Sequence, residues 1–148
     1  MTMRINRTAG AAPGFSLIEL MVVLVIISVL VAIAVPSYYN KVLKAHRTEA
    51  KTALLDIAAR EERYFNTNNL YSAAPADVGY TGAWPQAVGS GYYTVTVTAP
   101  AAAAGALPTY TITATSIGTQ TKDTPCATFT LTSTGVQTSA PNTTDCWK

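Results

Sequence analysis

One carboxylate stands where a carboxylate is expensive. Glu19 lies inside the run from Phe15 to Val35, FSLIELMVVLVIISVLVAIAV, whose only other polar groups are the hydroxyls of Ser16 and Ser28. An ionisable group inside an apolar span costs roughly 2.5 to 3.5 kcal/mol even on the lenient insertion scale, and it usually has a partner. The other residue types that carry chemistry are sparse. His46 is the single histidine, with no second His, Cys or acid at ligand spacing, and reads as an exposed surface residue. After Phe65 the charged residues are Asp77, Asp123, Asp145, Lys122 and Lys148. Cys126 and Cys146 lack the C-x-x-C spacing of a redox pair. No nucleophile and base pair by motif, no ligand set has metal spacing, and no glycine-rich phosphate loop follows a strand. The expectation is a protein that is not an enzyme and uses no cofactor or metal.

Glu19 is positioned by the apolar run itself. At about 1.5 Å of rise per residue, a helix over 15–35 just crosses a hydrocarbon core of roughly 30 Å. Residues 1–14, MTMRINRTAGAAPG, carry Arg4 and Arg7 and no acid, which favours a cytoplasmic leader and export of the chain beyond the span. An ordinary secretory signal fits poorly, because the apolar run is longer than an h-region and is followed by Pro36-Ser37-Tyr38-Tyr39 rather than a small-residue cleavage site.

The junction Gly14-Phe15 and the motif G-F-S-L-I-E-L closely resemble the processing site of type IV pilins and related pseudopilins. The resemblance implies that a prepilin peptidase cuts between Gly14 and Phe15, that Phe15 becomes the N-methylated terminus, and that Glu19 is the assembly residue. It also implies partners: the peptidase, other pilin subunits through the N-terminal helix, the assembly machinery of the inner membrane, and membrane lipid before assembly. Without Arg4 and Arg7 the processed chain has 8 basic and 8 acidic residues and is formally neutral. The new amine at Phe15 could compensate a buried Glu19. The spacing allows pairing within one helix; the resemblance suggests pairing between neighbouring subunits, where it would favour one stagger over others.

Pro36 closes the span and predicts a kink, since it removes one hydrogen bond and crowds the carbonyl of Ala32. The helix is expected to continue over 36–65 as an amphipathic segment. Ala50, Leu54, Ile57, Ala58, Tyr64 and Phe65 fall near one stripe, while Lys44, Lys51, Arg60, Glu62 and Arg63 lie largely off it. Residues 66–91 read as a connecting loop rich in turn formers, pinned by Leu70, Tyr71 and Trp84. Residues 92–148 read as a β head. Alternation in Tyr92 to Ala99, in Thr109 to Ser116 and in Ala127 to Thr132, with a short strand around Val136 to Thr138, predicts three or four antiparallel strands. The expected fold class is α+β, with one long N-terminal helix packed on an antiparallel sheet, as in pilins.

An exported domain with two cysteines most simply closes one disulfide, here Cys126 to Cys146. Pilins enclose a C-terminal surface loop with such a pair, and CATFTLTSTG with the closing CW resembles PilE-type minor pilins in particular.

The sequence therefore reads as a structural subunit of a type IV pilus, of minor-pilin type, serving assembly, twitching motility, adhesion or DNA uptake. Before assembly it would be a single-pass inner-membrane protein with its head in the periplasm; afterwards it would belong to an extracellular fibre. Two alternatives have other consequences. A DNA-receptor pilin is not favoured by charge, because two lysines against three aspartates leave the part after Phe65 formally negative. A type II secretion pseudopilin would share the N-terminal motif, but no acidic cluster suited to calcium is present in the loop.

Overall fold

The computed structural model describes residues 14–142 and 146–148. Residues 1–13, including Arg4 and Arg7, and residues 143–145, including Asp145, lie outside the described residues. Two compact units divide the chain, one ending at Tyr39 and the other running Asn40–Lys148. A single helix, α1 (Leu17–Asn68, 52 residues), begins in the first and ends in the second.

In the first unit, Leu17 to Val35 is helical although Val and Ile make up much of it, residue types that favour strands in water. The segment is long and apolar enough to cross a membrane, and its side chains are exposed throughout. In lipid a single segment can satisfy its backbone only as a helix, which overrides the β-branched preference. Ser28 returns its hydroxyl to the carbonyl of Leu24 at 2.7 Å, so this polar group also stays within the helix. Pro36 stands inside α1, which continues past it.

In the second unit, the helix supplies one wall of the core and a five-stranded antiparallel sheet the other. The strands are β1 (Gln86–Val88), β2 (Tyr93–Thr98), β3 (Thr111–Ser116), β4 (Cys126–Thr132) and β5 (Gln137–Pro141), ordered as they occur in the chain. Register stacks Val95, Ala114 and Phe129 in one row and Val97, Ile112 and Leu131 in the next. All six are buried, and they enclose Ala50, Leu54 and Ile57 of α1, each of which is fully buried. The alternating threonines of β2 lie on the other face, as a period of two requires.

Several details depart from the expectation. The helix runs three residues beyond Phe65. The segment read as a plain loop holds a 3₁₀ turn at Pro75–Val78 and the short strand β1, which raises the sheet to five strands. β4 starts at Cys126, and a register shift between Cys126 and Thr128 lets both Cys126 and Phe129 face inwards despite their odd spacing. β5 is centred beyond Val136–Thr138 and ends at Pro141. Tyr71 and Trp84 pack against the core, whereas Leu70 is about half exposed. Cys126 and Cys146 form a disulfide with Cα atoms 5.7 Å apart, and Trp147 sets its ring edge-on to Phe129.

Candidate functional site

The residues singled out by sequence fall into two groups, and the structure describes each within its own unit. Gly14, Phe15 and Ser16 precede the first turn of α1, and the Leu20 amide donates to the Ser16 carbonyl at 3.2 Å. Glu19 lies in that first turn, where unpaired amides give the helix end a partial positive charge that suits an acid. Phe15 is 80% exposed and Glu19 is exposed, so both are open to a neighbouring molecule. A Cβ added at Gly14 would meet nothing within 4 Å; the fold itself asks nothing of a glycine there.

In the head, polar side chains tie α1 to the connections between strands. Arg47 clamps Asp123 with two bonds of 2.6 Å, from Nε and from one terminal nitrogen. Asp123 is 2% exposed, and the pairing holds the Arg47 guanidinium above its ordinary range. Gln120 is fully buried, and its amide nitrogen lies within hydrogen-bond distance of the Leu43 carbonyl, the Tyr93 hydroxyl and Asp123, which share its two hydrogens. With that amide nitrogen committed as donor, its oxygen accepts from Nδ1 of His46 at 2.9 Å. His46 also stacks on Tyr92, with ring centroids 3.7 Å apart. The single histidine is thus a half-buried structural residue, where the sequence reading placed it on the open surface.

A second clamp fixes the turn between β1 and β2. Glu49 accepts the Ser90 amide at 2.8 Å and the Ser90 hydroxyl at 3.1 Å. Gly89 beside it has φ of 56°, and a Cβ there would come within 2.6 Å of the Glu49 carboxylate. The turn needs glycine twice over, for its backbone and for the room it leaves.

Basic side chains gather on one face. Lys44, Arg47, Thr48, Lys51, Cys146 and Lys148 line an open cleft of about 320 Å³. Lys51 reaches the backbone carbonyl of Lys148 at 3.5 Å, and partial burial, helped by Arg47, pushes its amine below the usual range. Sequence reading named these lysines separately; only the fold brings the helix and the C-terminus together. Among the described residues no group of three His, Cys, Asp or Glu could hold a metal ion.

The described chain thus combines an exposed apolar N-terminal helical segment, long enough to cross a membrane, with a disulfide-closed α+β head. Comparison with known proteins gives the family. Residues 12–35 match the family model described as the prokaryotic N-terminal methylation motif, and residues 36–130 match the one described as type IV minor pilin ComP, DNA uptake sequence receptor. The chain belongs to the type IV pilins, in that minor-pilin family, whose members are structural subunits and not enzymes.

Among curated relatives, the type IV major pilin protein PilA of Myxococcus xanthus is 35% identical over 78 residues, covering 53% of this chain and 36% of that protein. The type IV major fimbrial protein FimA of Dichelobacter nodosus is 38% identical over 74 residues, covering 41% of this chain and 47% of that one. The chain thus spans less than half the length of either relative. A type IV pilin from Shewanella oneidensis, solved at high resolution, has 25% identity and a TM-score of 0.49, covering 72% of this chain and 98% of that one.

Proposed function

We propose that this chain is a minor subunit of a type IV pilus, held in the inner membrane by residues 15–35 until it is cut after Gly14 and incorporated into a fibre. One observation carries the reading: the methylation-motif match over 12–35 abuts a minor-pilin match that begins at residue 36, so anchor and head belong to one recognisable subunit. In this proposal prepilin peptidase frees the Phe15 amine, which is then methylated, and Glu19 meets the corresponding amine of a neighbouring subunit. Leu17, Ile18, Leu20 and Val23 exchange lipid for other pilin helices. That exchange brings no hydrophobic gain, so packing and the Glu19 pair must favour it, with work supplied by the assembly machinery. Pro36 offers a point of bending between the membrane segment and the head. N-terminal sequencing of the mature protein, combined with its detection in sheared fibres, tests this. A terminus at Phe15 in the fibre fraction is expected; a terminus elsewhere, or retention in the cell envelope alone, rejects it.

A second reading, DNA binding during uptake, is favoured by the family match over 36–130. The part after Phe65 is formally negative, so phosphate contacts would have to come from α1. Lys44 and Lys51 of α1, which line the cleft, supply such groups on one face. Purified protein should then retard duplex DNA with an affinity that falls steeply as salt rises. Replacing both Lys44 and Lys51 by Gln should weaken binding and flatten that salt dependence by roughly two contacts. Unchanged binding in the variant would remove the cleft from this role.

A further inference from the structure

Ala50, Leu54 and Ile57 recur at spacings of four and three along the buried stripe of α1, and the next position at that spacing is Glu61. A carboxyl occupies a place where the pattern calls for hydrocarbon. The side chain is 0% exposed. Its Oε2 accepts the Ser72 amide at 3.1 Å, and its Oε1 has no hydrogen-bond partner among the described residues. An ionised carboxylate can accept about four hydrogen bonds, so the charged form is poorly served here, whereas a neutral acid is far cheaper to bury.

The neighbours do not compensate the charge. Glu62 is the next residue on the helix, its oxygens taken by the hydroxyls of Tyr71 and Tyr110. Asp77, from the 3₁₀ turn, accepts the Ser72 hydroxyl at 2.5 Å. The phenols of Tyr64, Tyr71 and Tyr110 complete the surroundings. Burial first, then the negative charges of Asp77 and Glu62, hold the Glu61 carboxyl above the usual carboxylate range, against the opposing bond from Ser72.

Ser72 is the hub of the segment after the helix. Its amide rests on Glu61, and its hydroxyl accepts the Ala74 amide while donating to Asp77. From there the chain enters the 3₁₀ turn, where Val78 is buried and its carbonyl accepts from Arg60. We propose that Glu61 is a proton-operated latch: the neutral acid keeps Ser72–Val78 seated against α1, and loss of its proton to solvent releases that segment. For an acid whose folded-state pKa is raised, this stabilisation is complete below the unfolded value and disappears as pH rises through the folded one. The latch is closed in acid and opens towards alkaline pH.

The test compares backbone amide exchange at Ser72 in the full chain, in detergent, with that of Glu61→Gln. The Gln variant keeps an acceptor for the amide but cannot ionise, and comparison at equal pH cancels the intrinsic exchange chemistry. The two proteins should exchange alike near about pH 4. Towards about pH 8 the wild type should become faster than the variant, by a factor that grows as pH rises. Parallel behaviour across the range overturns the proposal. Should the variant not fold, carbon-13 labelling of glutamate carboxyls in the wild type decides. Glu61 and the Ser72 amide must then titrate together above the ordinary carboxylate range, and a Glu61 that ionises within that range, or a Ser72 amide that ignores it, rejects the latch.

Discussion

At the scale of single residues, the head depends on charges that its own sequence does not advertise. Arg47 and Asp123 lie 76 positions apart, yet Asp123 is almost fully buried and takes both of its strong bonds from Arg47. Removing one member of such a pair strands the other: Arg47→Ala should destabilise the head by about 3 kcal/mol in chemical denaturation. Arg47→Met combined with Asp123→Leu should destabilise it less, because no buried charge is left behind. A double variant less stable than the single one would contradict stranding of the charge as the cause. Burial also raises the phenol of Tyr93 to about 12, with the Gln120 bond opposing, and that of Tyr110 further still. Ionising either is less favourable in the folded protein than in the unfolded chain, so the contribution of these two phenols to stability should be flat up to about pH 10 and fall above it. Tyr93→Phe should lessen that alkaline loss, as thermal unfolding between about pH 9 and 11 would show. None of these partners was legible beforehand, since composition shows a lone histidine and scattered acids but not which of them meet. Glu61 is the exception: its spacing after Leu54 and Ile57 marks a core position, and only the habit of assigning a charge to the surface hides it.

At the scale of elements, the strands were legible because their chemistry alternates. Tyr93, Val95 and Val97 face the core and the threonines between them do not, so a period of two in the sequence is also a division of surfaces. β1 escaped because a three-residue strand is too short to show a period, and it exists through its pairing with β2. The start of β4 escaped because the irregularity after Cys126 breaks the alternation that would have announced it. The helix stripe allows a sharp comparison between neighbours. Leu54 is fully buried and Leu55 is 51% exposed. Leu54→Ala should cost about 2 to 5 kcal/mol, whereas Leu55→Ala should stay within about 0.5 kcal/mol, both read from denaturation midpoints. The disulfide acts at the same scale. It joins residues 20 positions apart, so replacing both cysteines by serine should cost about 3 kcal/mol, chiefly by freeing the unfolded chain.

At the scale of the whole molecule, one end of the chain was the most legible, because lipid imposes a simple rule. A 21-residue apolar segment announces itself by composition, and a single acid within it stands out. The head's surface was less legible: the basic cleft arises only when the C-terminus returns to α1. The helix of the first unit is complete without the Glu19 side chain, and loss of a charge from an apolar segment eases insertion into lipid. Glu19→Ala should therefore reach the membrane and be processed to a Phe15 terminus at the normal rate. What it should lose, on the assembly role proposed for Glu19, is pairing with a neighbour's amine, an interaction whose strength would depend on the low-dielectric surroundings of associated helices. The variant should accumulate in the membrane fraction and be missing from sheared fibres, whereas a variant on the exposed face of the head, such as Leu55→Ala, should enter them. Normal incorporation of Glu19→Ala would mean that helix packing alone selects the stagger, and the carboxylate would then need another explanation.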